Sequence, residues 1–123
     1  MSAPLKILAV DDEPSIGASM HFIFARPLYE LASALDGEAA LARMAEDPEP
    51  FDVVITDSNM PGVCGLELVR QLRELNFPGK IVVLSAHLST DVRAAYESMA
   101  VDAVMEKPFS VKALQAKLDQ LAA

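Results

Sequence analysis

Basic residues are scarce in this chain. Its 123 residues hold 10 Lys and Arg against 18 Asp and Glu, a formal charge of -8. A field of that sign repels phosphate backbones and anionic lipid surfaces, which argues against binding of nucleic acid or membrane by this chain itself. Cysteine is limited to Cys64, so no intrachain disulfide can form, a usage that fits a reducing compartment. Cys64 is read as a quiet, structural or partly exposed residue rather than a reactive thiol. No apolar run approaches the length of a membrane span. The amino terminus, M-S-A-P-L-K-I-L-A-V-D-D, lacks a charged leader and its apolar run ends in acids, so it is not a secretory signal and a cytoplasmic location is expected. Ser- or Gly-rich linkers, internal repeats and low-complexity segments are also missing. What remains is 52% hydrophobic, which excludes disorder, in a length suited to one domain over 1–123. A chain of this size buries roughly two thirds of its unfolded surface.

The most telling stretch runs from Phe51 to Gly65, F-D-V-V-I-T-D-S-N-M-P-G-V-C-G. Val53-Val54-Ile55 reads as a buried strand that delivers one carboxylate, Asp57, into a turn marked by Pro61 and Gly62. Leu5 to Val10 reads as a first strand, ending in Asp11-Asp12-Glu13. A helix follows, with Ile16, Met20, Ile23 and Phe24 on one face and Pro27 ending it. His21 lies between core positions of that helix and, with no Cys or second His at ligand spacing, is read as structural. Leu28 to Ala34 is expected as an edge strand. Asp36-Gly37 turns into a second helix, capped by Asp36 and stopped by Asp47-Pro48-Glu49-Pro50.

A third helix is expected from about Gly65 to Leu75, with Leu68, Leu72 and Leu75 on one side. Lys80 to Leu84 is a fourth strand, ending at Ser85-Ala86-His87. Ser89 or Thr90 starts a helix that buries Val92, Tyr96 and Met99. Val101 to Met105 is a fifth strand containing Asp102, ending at Glu106-Lys107-Pro108-Phe109. Ser110 caps a last helix with Val111, Leu114, Leu118 and Leu121 on its face. Five strands alternating with five helices over short connections imply an α/β fold, a doubly wound parallel sheet. The first, third and fourth strands are the most apolar and should be central, which a flavodoxin-like (βα)5 order 2-1-3-4-5 satisfies.

In that order the strand ends carry Asp11 and Asp12, Asp57, Ser85 and Lys107 to one edge of the sheet. Two carboxylates about 4 Å apart repel by roughly 4 kcal/mol at a surface-like dielectric. A hard divalent cation such as Mg2+ relieves that repulsion, and Lys107 adds a second positive charge. A cation, a lysine and a hydroxyl suit a phosphoryl group, with Asp57 as a nucleophile able to form an aspartyl phosphate.

The segments V-D-D-E, D-V-V-I-T-D-S-N-M-P-G-x-x-G-L-E-L, L-S-A and E-K-P-F, in this order, resemble the receiver domain (CheY-like) of bacterial two-component response regulators, over essentially the whole chain. The resemblance implies a phosphoprotein switch rather than a turnover enzyme, with at most Mg2+-dependent self-phosphorylation and self-dephosphorylation. It implies that Asp57 accepts a phosphoryl group from a sensor histidine kinase or a histidine phosphotransfer protein. Asp12 and Asp57 would ligate Mg2+ (or Mn2+), with Asn59 offering its backbone carbonyl and Asp11 acting through water. Ser85 and Lys107 would contact the phosphoryl group, and Pro108 would follow a cis bond. Asn59 and His87 stand where side chains tune dephosphorylation; an exposed loop histidine is the other reading of His87. The surface of the fourth helix, fifth strand and fifth helix would meet a downstream protein.

Three departures from the family pattern stand out. Val104 replaces the usual aromatic whose rotation reports phosphorylation, Met99-Ala100-Val101 lacks a glycine often found there, and Cys64 replaces a position that is often acidic. They keep a second reading open, a receiver-like interaction module with lost or altered phosphorylation-dependent output. A phosphatase of the haloacid-dehalogenase type is disfavoured, because its second acid would fall at Asn59, which cannot protonate a leaving group.

Overall fold

A computed structural model describes residues 4–46, 50–58 and 64–122. Strands and helices alternate in the order β1 (Leu5–Val10), α1 (Pro14–Ile23), β2 (Tyr29–Ala34), α2 (Gly37–Glu46), β3 (Val53–Asp57), α3 (Gly65–Glu74), β4 (Lys80–Ser85), α4 (Thr90–Ser98), β5 (Ala103–Glu106) and α5 (Val111–Ala122). All strand pairs are parallel and the sheet order is β2-β1-β3-β4-β5. The expected flavodoxin-like arrangement is therefore the observed one.

Strand periodicity divides the core into two layers. Successive side chains of a strand point to opposite faces. Leu8, Val10, Val54, Ile81 and Val83 accordingly pack with Leu68, Leu72 and Tyr96 of α3 and α4. Ile7, Ala9, Val53, Ile55, Val82 and Leu84 pack with Met20 of α1 and with Leu114 and Leu118 of α5. Every residue of β3 is buried, which is why its sequence reads as one continuous apolar run up to Asp57. Each fully buried Leu or Ile in these layers contributes on the order of 1.5–3 kcal/mol. The short β5 is half-buried along most of its length, as an edge strand should be.

The expected caps form. Asp36 accepts the amide of Ala39 at 2.7 Å, Ser89 that of Val92 at 3.1 Å, and Ser110 that of Ala113 at 3.0 Å. Several boundaries differ from the sequence reading. Leu28 lies outside β2 and is exposed. Leu75 caps the end of α3 and is also exposed, so it does not extend the Leu68–Leu72 face. Val111 opens α5 and is likewise exposed. Asp102 precedes β5 because its carboxylate bonds to the neighbouring strand, where Oδ2 accepts the amide of Ile81 at 2.8 Å. Arg26–Pro27 and Lys107–Pro108 are cis.

The residue after the cap of α4 is Ala100, and its φ is 58°. That left-handed backbone favours glycine, so the missing glycine of the sequence pattern falls where it matters. Arg73 of α3 binds this end of α4, donating from Nε to the carbonyl of Met99 at 2.9 Å and from its guanidinium to the carbonyl of Ala100 at 2.6 Å.

Candidate functional site

Parallel strands end at one edge, so the residues following β1, β3, β4 and β5 become neighbours. Main-chain bonds fix that edge. The amide of Asp11 donates to Ala34 O at 3.1 Å, that of Ser58 to Leu84 O at 3.0 Å, and that of Lys107 to Ser85 O at 2.8 Å. The last bond ties the segment after β5 to the end of β4 and directs Lys107 inward across the edge.

The structure brings Asp11, Asp12, Asp57 and Lys107 together. One carboxylate oxygen from each of the three aspartates lies within 4.8 Å of the other two. Asp11 and Asp57 are buried and Asp12 is exposed. Lys107 Nζ is 3.0 Å from Asp11 Oδ2 and 3.2 Å from Asp57 Oδ1. Burial alone would lower the lysine's pKa, but its hydrogen bond to Asp11 and the charges of Asp11 and Asp57 overturn that and hold it above the usual lysine value. Asp11 also accepts the amide of Glu13 at 3.0 Å, which turns the chain into α1.

One lysine cannot balance three carboxylates, and like charges at this spacing repel by roughly 3–4 kcal/mol per pair at an effective dielectric near 20. The convergence of oxygen-only donors, two of them buried, fits a hard divalent cation of the Mg2+ type.

Ser85 is fully buried at the end of β4, and its Oγ accepts from Ser58 Oγ at 3.0 Å. Ser58 is a neighbour that the sequence reading passed over. Its only local signal is its position directly after Asp57. His87 is exposed, two residues beyond β4. Asn59 lies outside the described residues. Cys64 is half-buried at the start of α3 and makes no side-chain cap. Val104 is partly buried in the layer that contains Tyr96.

Gly65 is required by close approach. A Cβ there would lie 2.5 Å from Tyr96 Oη, 2.7 Å from the carbonyl oxygen of Asp57 and 2.7 Å from Ser58 Cα. The start of α3 can sit against the end of β3 only without a side chain at that position.

Comparison with known proteins agrees with this fold. The family model described as response regulator receiver domain matches residues 7–119. The chain is 35% identical over 118 residues to the response regulator MprA of Mycolicibacterium vanbaalenii, covering 96% of this chain and 50% of that one. It is 34% identical over 113 residues to the alkaline phosphatase synthesis transcriptional regulatory protein PhoP of Bacillus subtilis, covering 92% and 46%. The chain thus spans about half the length of the curated relatives it matches. Among solved structures, the chemotaxis protein CheY4 of Vibrio cholerae superposes with a TM-score of 0.88 at 30% identity, covering 97% of this chain and 99% of that one.

Proposed function

This chain belongs to the response regulator receiver domains of two-component systems, and from that membership we propose that Asp57 is its phosphoacceptor. Residues 1–123 are read as a single receiver domain acting as a signalling switch. The observation that carries the assignment is the pairing of Lys107 with both buried aspartates, 3.0 Å from Asp11 and 3.2 Å from Asp57, at the end of the most buried strand.

In the proposed reaction an Asp57 carboxylate oxygen attacks the phosphorus of a phosphohistidine on a sensor kinase or phosphotransfer protein. A P–O bond forms, the P–N bond breaks, and the electron pair returns to the imidazole nitrogen. Lys107 is already within reach of Asp57 and would pair with the incoming phosphoryl oxygens. Ser85 would donate its hydroxyl to one of them. Hydrolysis reverses the state: water attacks phosphorus, the bond to Asp57 breaks, and inorganic phosphate leaves. The chemistry is mainly positioning and charge neutralisation. A small phosphodonor would serve in place of the histidine.

Receiver domains generally bind Mg2+ at an acidic pocket. Here Asp12 and Asp57, the backbone carbonyl of Asn59, and Asp11 through water would hold it. Bound there, Mg2+ (or Mn2+) would offset the charge of the acids and of the phosphoryl oxygens. Asn59 and His87 would tune water access. No helix among the described residues is long and apolar enough to cross a membrane, and a cytoplasmic location is proposed. The downstream partner would be a protein meeting α4, β5 and α5, with no nucleic acid bound by this domain.

Incubation with acetyl phosphate and Mg2+, followed by intact mass, tests the assignment. The wild type should gain one phosphoryl group and Asp57→Asn none. An unmodified wild type would favour the interaction-module reading instead.

A further inference from the structure

One buried polar atom beside the site has no part in the chemistry above. Tyr96 faces inward from α4 and is fully buried, and its Oη has no hydrogen-bond partner among the described residues. An unpaired buried hydroxyl is disfavoured, and native folds keep few of them. Its surroundings are specific. The position where Gly65 lacks a Cβ is 2.5 Å from Tyr96 Oη and 2.7 Å from Ser58 Cα, so phenol and serine meet across a gap that only glycine leaves open. Ser58 is itself buried and donates its proton to Ser85 Oγ. Burial pushes the Tyr96 pKa up to about 12, with Cys64 adding to the rise, the hydrogen-bonding approach of the Ser58 hydroxyl, still short of a well-formed bond, drawing it back and the Asp57 charge raising it again. The phenol and the strand end that bears Asp57 therefore share one electrostatic neighbourhood.

We propose that Tyr96 is a further positioning residue of the switch: when Ser85 turns its hydroxyl to a phosphoryl group on Asp57, Tyr96 donates to Ser58 Oγ and completes the chain Tyr96 to Ser58 to Ser85 to phosphoryl oxygen. The inference rests on the roles proposed for Asp57 and Ser85. Each of the three hydroxyls has one proton to give and lone pairs to receive with. In this chain Ser58 gives its proton to Ser85, 3.0 Å away, which leaves its lone pairs to Tyr96. Hydrogen bonds in series polarise one another, and an anionic terminus makes Ser58 a stronger acceptor. The result tightens the existing approach of α4 to the end of β3 when Asp57 is modified. It also supplies a reporter where Val104 replaces the usual aromatic, because Tyr96 and Val104 pack in the same layer.

Tyr96→Phe removes only the oxygen. With the whole chain, acetyl phosphate and Mg2+, the wild type should unfold at a higher temperature once modified. Tyr96→Phe should match or exceed the unmodified wild type, yet its rise on modification should shrink by about 3–6 °C, the shift one hydrogen bond makes at this size. Ser58→Ala should lose a similar amount, and the double variant no more than either alone. The chain has two tyrosines, so 13C labelling at Cζ gives a second readout on unaltered protein. The Tyr96 signal should move on modification and the Tyr29 signal should stay. A full rise in Tyr96→Phe, additive losses, or a static Tyr96 signal in modified wild type would overturn the relay while leaving Asp57 as phosphoacceptor. A wild type that takes up no phosphoryl group would overturn both.

Discussion

At the amino edge of the sheet, Asp52 and Asp102 each accept a backbone amide of a neighbouring strand, Lys6 N and Ile81 N, both at 2.8 Å. At the carboxyl edge, Asp11, Asp12 and Asp57 face one another, and Lys107 reaches two of them. The side chain is the same at both edges, but its energetic role is opposite. A carboxylate that receives a backbone N–H satisfies a donor and fixes strand register, which stabilises the fold. Carboxylates gathered beyond what one ammonium can balance weaken the fold and store a field that an added cation or phosphoryl group can use. Strand starts hold the sheet together here, and strand ends gather the acids and the lysine of the proposed site.

The largest test of that contrast is Asp57→Asn. Phosphoryl uptake should vanish, and without a divalent cation the variant should melt no lower than the wild type. A melting temperature several degrees lower would put Asp57 among the structural acids. Lys107→Ala should come next. The fold should persist, uptake should be impaired, and stability should fall by about 1–3 kcal/mol from the loss of charge-assisted bonds. Thermal unfolding with and without Mg2+ should show the cation restoring more stability to this variant than to the wild type, since it would offset the same acids. Asp102→Ala should lose about 1–2 kcal/mol in denaturant unfolding, with phosphoryl uptake unchanged. Impaired uptake there would erase the distinction between the edges.

Alkaline titration gives a smaller effect. The folded-state pKa of Tyr96 is raised from 10.0 to about 12. The folded state therefore keeps a proton that the unfolded chain releases. Its contribution is complete below pH 10 and is lost as pH rises from there through about 12. Tyr96→Phe should lose stability less steeply than the wild type across that window. The smallest effect belongs to Ala100→Gly, just before the amino edge at β5. Relief of the left-handed strain should add about 0.5–1 kcal/mol with uptake unchanged.

The sheet order was legible because β1, β3 and β4 carry the longest apolar runs, broken inside β1 only by Lys6, as strands central to a parallel sheet require. Asp11, Asp12 and Asp57 were legible as candidates because they end two of these runs, and Lys107 because it follows the shorter β5 at the same edge. Boundaries were less so. Asp102 reads as a strand residue from its apolar neighbours, and only the fold brings the Ile81 amide to it. Leu75 and Val111 continue helical patterns at positions where the helices have already ended or just begun. Tyr96 was legible as core, but its hydroxyl was not legible as a neighbour of the site. The contact depends on Gly65, 31 positions away along the chain, admitting the phenol beside Ser58. A phenol on an otherwise apolar helix face was the available hint, since a buried Tyr usually seeks a partner for its O–H.

Arg73 holds the end of α4 through the carbonyls of Met99 and Ala100 rather than through any side chain of that helix. Such a clasp is blind to sequence. The outward residues of α4 can be exchanged during evolution without loosening the helix from its neighbour, so on the partner surface proposed above a lineage could change its partner while inheriting the same anchorage.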